Sequence, residues 1–161
     1  MSAFFSEYSN WILFFHVLGA FVWVGGMVAI RFAVHPALQN IEDEKVRLAK
    51  TLQILKNFFS LVRPMIGVII ITAVVMSVAL DYKQVDPFLA TIVHVKEGIW
   101  LLMSAIFVYI MLRRNRAEMA YVSGDMQKTK ELLKPLAQYL IPLNIFLGLI
   151  ALYLGVVLRG F

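Results

Sequence analysis

The chain has 161 residues, of which 61% are hydrophobic and 16% charged, with a mean hydropathy of +0.79. A soluble domain that apolar could not cover its surface with polar groups, so composition alone points to an integral membrane protein and excludes disordered tails, repeat arrays and two-domain soluble enzymes. The net charge of +5 would suit nucleic acid in a soluble protein, but here the cations flank apolar segments and no nucleic-acid partner is expected; the lack of cysteine excludes disulfides, thiolate metal sites, iron-sulfur clusters and covalent c-type haem attachment.

At about 20 residues per crossing, the chain has room for four spans and their connections. The first apolar run, Trp11 to Val34, contains one charge, Arg31, and three glycines. It is too long for a signal-peptide core and lacks a basic leader, so it reads as a retained transmembrane helix. The second run, Phe58 to Leu80, is expected to be interrupted near its start by Arg63-Pro64. The third, Phe88 to Leu112, carries His94, Lys96 and Glu97 in its first turns, and the fourth, Leu136 to Leu158, is expected to bend at Pro142.

The connections differ in kind. Residues 81–87 form a tight Asp/Pro turn, whereas 35–57 and 113–135 are long. Glu42, Asp43 and Glu44 stand ahead of Leu48, Leu52, Leu55 and Phe59, a helical stripe with acids at its N-terminus. A weaker stripe uses Leu132 or Leu133, Leu136, and Tyr139 or Leu140, broken at Pro135. The expected architecture is all-α: one domain, residues 1–161, folded as an integral-membrane antiparallel four-helix bundle with helical extensions on the cytoplasmic side. Lys45, Arg47, Lys50, Lys56 and Arg63 in and after loop one, and Arg113, Arg114, Arg116, Lys128, Lys130 and Lys134 in loop three, stand against Lys83 alone in loop two. The positive-inside rule then places both termini outside a bacterial inner membrane, with anionic lipid available to the basic loops.

Ionisable groups within spans are costly and mark chemistry. The histidines are His16, His35 and His94. In an up-and-down bundle His16 and His94 lie at one level, roughly 7–10 Å below the outer surface at ~1.5 Å per residue. Two level histidines suit axial ligation of one b-type haem, which also needs space and a propionate partner. Gly19, Ala20 and Gly98 offer space, Lys96 a cation, and Trp11, Tyr82 and Trp100 edge contacts. The cofactor set is therefore His16, His94, Lys96, Gly19, Gly98 and Trp100, with His16 and His94 on the metal. Each member also has a plain structural use: histidines bond between helices, small residues allow close packing, and lysines snorkel. Lys96 and Glu97 diverge by ~100 degrees around the helix and are not expected to touch. His35, directly before Pro36, reads as a helix-end group beside Arg31 and Arg63.

Copper is the competing ion, held by the same histidines, but Met27, Met65, Met76, Met103 and Met111 are dispersed in depth, as packing residues would be. Zinc hydrolysis lacks an HExxH motif.

The segments WILFFHVLGAFVWVGGMVAIRFAVHPAL and TIVHVKEGIWLLMSAIFVYIMLRR resemble helices one and three of the small membrane proteins of the copper-resistance D (CopD) and HemJ-type protoporphyrinogen oxidase group, and LNIFLGLIALYLGVVLRG resembles the closing helix of its copper-resistance side. The HemJ side implies b-type haem and protoporphyrinogen oxidation, with His16 an axial ligand and Arg31 and His94-x-Lys96 functional; the CopD side implies copper uptake. The chain departs from the HemJ pattern at Tyr109 to Arg113 and at Pro142-Leu-Asn144. Three readings stay open: haem-dependent electron transfer or oxidoreduction with quinone, a tetrapyrrole or a redox partner; copper handling; and a non-catalytic assembly subunit, with homo-oligomers compatible with each.

Overall fold

The computed structural model describes residues 2–80 and 86–159, with side chains described for 7–79 and 86–158. Tyr82 and Lys83 lie outside the described residues, as does most of the expected 81–87 turn. Four helices are long and apolar enough to cross a membrane: α1 over Glu7–Gln39, α2 within Glu44–Leu80, α3 at Pro87–Val122 and α4 over Met126–Leu158. In the most apolar window of each, no more than 22% of residues are buried. Most of each span therefore presents apolar side chains outward, Phe21, Ile71, Leu101 and Phe146 among them, which in this setting is lipid-contacting surface.

Local chemistry sets the helix ends. Asp86 accepts from the Phe88 amide at 2.6 Å and Pro87 occupies the first turn of α3, where no backbone donor is needed. Asp43 caps α2 through the Val46 amide, and Asp125 caps α4 through the Lys128 amide. Between α3 and α4 the chain reverses at Gly124, whose φ of +83° suits glycine alone. There the Asp125 amide reaches Ala120 O and the Gly124 amide reaches Tyr121 O, the paired bonds of a Schellman stop. The expected long loops are thus mostly helix: α3 continues ten residues past Leu112, and α2 begins fourteen residues before Phe58.

The prolines are absorbed in two ways. Pro64 does not interrupt α2, which is continuous across it, and Arg63 Nε turns back to Phe59 O at 3.4 Å. Pro36 and Pro142 follow wide π turns at Ile30–Val34 and Leu136–Leu140, where longer-range backbone bonding accommodates the missing donor. A further π turn, Phe21–Gly25, widens α1 in mid-span.

Packing runs α1 on α2, α2 on α3, α3 on α4, with α4 returning to the Phe21–Gly25 turn of α1. The Leu48, Leu52, Leu55 and Phe59 stripe is buried as its spacing predicts, and it extends to Val62 and Ile69. The weaker stripe resolves to Leu133 and Leu136, both buried, with Leu140 packed against them and Tyr139 turned outward. At the centre Phe107 takes Trp23 and Phe59 edge-on, with ring centroids 5.9 and 5.3 Å away. Met27 and Met103 are buried in the same core, the packing use expected of dispersed methionines.

Close helix approach depends on glycines. A Cβ on Gly148 would stand 2.6 Å from Val24 Cγ2 and 3.3 Å from Met103 Cε, whereas one on Gly67 would meet nothing within 4 Å. Gly148→Val should therefore lower stability by about 1–3 kcal/mol through overpacking, because stiff Val24 cannot swing away. Gly67→Ala should raise stability by about 0.5–1 kcal/mol through helix propensity. Thermal unfolding of the two variants in one detergent checks both signs; a Gly148→Val midpoint at or above that of the parent would contradict this packing.

Candidate functional site

His16 sits on the regular first stretch of α1, five positions into its apolar run, and is partly buried against α2. Its Nδ1 lies 2.9 Å from the Thr72 hydroxyl. Thr72 is the one polar residue between Pro64 and Ser77. Its oxygen also lies 2.7 Å from Val68 O and 3.1 Å from Ile69 O, carbonyls that only accept. With the hydroxyl proton directed to those carbonyls, we assign the imidazole proton to Nδ1, which donates to Thr72 Oγ1. That tautomer leaves the Nε2 lone pair without a hydrogen-bond partner among the described residues.

One turn on, Gly19 is buried, and a Cβ there would lie 2.7 Å from Ile69 Cγ1 and 3.2 Å from Met65 O. Its missing side chain is thus filled by α2, and Gly19 fixes the α1–α2 approach that lets His16 reach Thr72. A second partly buried polar group is Lys96 on α3. Its Nζ lies 3.1 Å from the position a Gly155 Cβ would take, so α3 lays this ammonium across a side-chain gap in α4. Trp100, one turn further along α3, packs against the core with its Nε1 buried and unpartnered.

His94 stands apart from this group. Its side chain is 61% exposed, and Nδ1 lies 3.2 Å from Glu97 Oε2 on the same helix. Lys96 is two residues further and so projects from the opposite side of α3. Gly98 is likewise exposed, with nothing near its Cβ position. The structure therefore brings together His16, Thr72 and Gly19, sets Lys96 against Gly155 of α4, and places His94 and Gly98 on the outward face. Lys96 and Glu97 diverge as their spacing requires. Trp11 is exposed and stacks with Phe15, an outward aromatic cluster suited to a membrane interface.

Sequence reasoning missed Thr72 and Gly155; the signal for the first was a lone hydroxyl among the twelve positions 65–76. It also missed the deeper core atoms without a partner, Trp23 Nε1, Ser104 Oγ and Asn144 Oδ1. Asn144 is fully buried, with its amide nitrogen 3.4 Å from Met103 O. At the other end of α1, Arg31 lies over the Phe32 ring, and Arg63 bonds within its own helix rather than to His35. Among the described residues no three His, Cys, Asp or Glu side chains converge, an arrangement that axial haem ligation does not require. Comparison of the chain with known protein families, with curated proteins and with solved structures finds no match.

Proposed function

We propose that this chain is a b-type haem protein of the bacterial inner membrane, acting in electron transfer or membrane oxidoreduction. The observation that carries the reading is the oriented His16 imidazole: a part-buried hydrogen bond engages Nδ1 and leaves Nε2 without a hydrogen-bond partner among the described residues, as metal-bound histidines commonly bond through their other ring nitrogen. His16 fits an axial ligand, and Lys96 fits a propionate partner on the neighbouring side of the same interior. The HemJ-like resemblance adds protoporphyrinogen oxidation as the specific reaction. His94 enters as a second ligand only if it leaves Glu97 and turns inward.

In this proposal the four spans form an antiparallel bundle with both termini outside, since eleven of the cations in the connections belong to loops one and three and their flanks. Haem supplies one-electron chemistry when bound. The protein's part is to hold the imidazole through Thr72, to keep water out with the apolar walls of α1 and α2, and to place the Lys96 charge beside the site. Copper handling, the CopD-like reading, would use the same free Nε2, although the buried methionines Met27 and Met103 are engaged in the core.

The visible spectrum of protein purified from haem-supplemented cells tests the proposal. A Soret band with sharp reduced α and β bands is expected; colourless, folded protein would refute it and direct the question to metal analysis. Thr72→Val should weaken haem retention about 10–100-fold, the usual effect of losing an outer-shell partner, while leaving helicity by circular dichroism intact.

A further inference from the structure

A cavity of about 470 Å³ opens far from His16, between the last turns of α1 and the first turns of α2 and α4. His35 and His16 are nineteen residues apart, or ~28 Å along a helix at 1.5 Å per residue, so the two sites are separate. The volume falls in the ~300–1,000 Å³ range of small-molecule sites. Its walls are apolar, with Val34 and Leu38 from α1, Leu55 from α2 and Ile141 from α4. Its charged groups are mostly basic, with Arg47, Lys130 and Lys134 lining it and Glu131 the one acid, beside the uncharged Gln39, Thr51 and Gln127 and the imidazole of His35.

Those charges are not equally available. Lys130 is held by Glu44 at 2.5 Å, and the Glu131 carboxylate takes the Gln127 amide at 2.8 Å. Arg47, which lines the cavity, spends one N–H on Ile41 O at 2.9 Å, and its other donors have no partner among the described residues. Lys134 has no partner among the described residues. An apolar chamber beside two available cations, at the end of the spans where headgroups lie, matches an amphiphile with an anionic head.

We propose that this cavity holds one anionic phospholipid from the adjoining leaflet, its acyl portion against Val34, Leu38, Leu55 and Ile141 and its phosphate against Arg47 and Lys134. A zwitterionic lipid offers the same phosphate but carries its own cation, which the basic rim repels. Lateral entry from the bilayer suits a lipid better than a soluble anion, which would leave the apolar walls uncovered.

Native mass spectrometry of the delipidated full chain, titrated with phosphatidylglycerol or phosphatidylcholine, tests this. One phosphatidylglycerol should be retained at least tenfold more tightly than phosphatidylcholine. Lys134→Glu should remove that preference, and Ala137→Phe, which fills the cavity with the charges intact, should lower phosphatidylglycerol retention at least tenfold. If the phenylalanine prevents folding, as circular dichroism would report, Ala137→Leu serves the same purpose. Equal retention of the two lipids, unchanged retention in the folded filled variant, or displacement by an equal concentration of inorganic phosphate would overturn the proposal. The parent's visible spectrum is independent of each outcome.

Discussion

His16→Ala should abolish the haem spectrum, whereas His94→Ala should leave most of it in place. Removal of an axial imidazole takes away the iron–nitrogen bond itself. The His94 ring is exposed and paired with Glu97, so its loss disturbs an outward contact. Equal loss in both variants would instead show two-histidine ligation, with His94 rotated inward on binding. Lys96→Met separates a third contribution: with the ammonium gone from beside Gly155, haem should still bind but with its reduction potential and propionate environment changed. Absorption spectra and a redox titration of the same four proteins supply these readings, and unchanged spectra in His16→Ala would dismiss the assignment.

How far the sequence discloses this site depends on which helix faces have contrast. The stripe from Leu48 to Phe59 is legible because polar residues separate its members and define the buried side. Helix α3 over its span is apolar nearly all round, so periodicity cannot say which way His94 points. Residue counting addresses position along the helix axis and says nothing of rotation about it. The rotation came from contacts no local pattern encodes, such as Gly19 against Ile69 and Gly155 beneath Lys96. The same limit hid Thr72, whose partner lies 56 positions away. Prolines misled differently: an X-Pro pair reads as a boundary, yet π turns and the packed environment keep the helices running through.

Charge counting hides a second distinction, between cations exposed on the connections and one that holds the fold. Arg114 counts with loop three, but its side chain is only 4% exposed. It donates to Leu52 O of α2 at 3.1 Å, to Glu118 at 2.7 Å and to Asn115 at 3.1 Å, tying α2 to α3 beyond the spans. Arg114→Leu should destabilise this end by about 1–3 kcal/mol, less than the full loss for a broken buried pair because Glu118 stays 38% exposed and hydrated. Arg114→Lys should recover only part of the loss, since an ammonium lacks the fork that reaches Leu52 and Glu118 together. By contrast Lys56→Ala and Lys130→Ala, which break pairs in solvent-accessible positions, should each change stability by less than about 1 kcal/mol. Thermal unfolding and limited proteolysis of the α3–α4 turn measure the difference: cleavage near Gly124 should quicken in Arg114→Leu and stay at the parent rate in the lysine-to-alanine variants. Equal proteolysis in all four would mean that the apolar stripe alone holds this end together and that Arg114 contributes no more than its exposed basic neighbours.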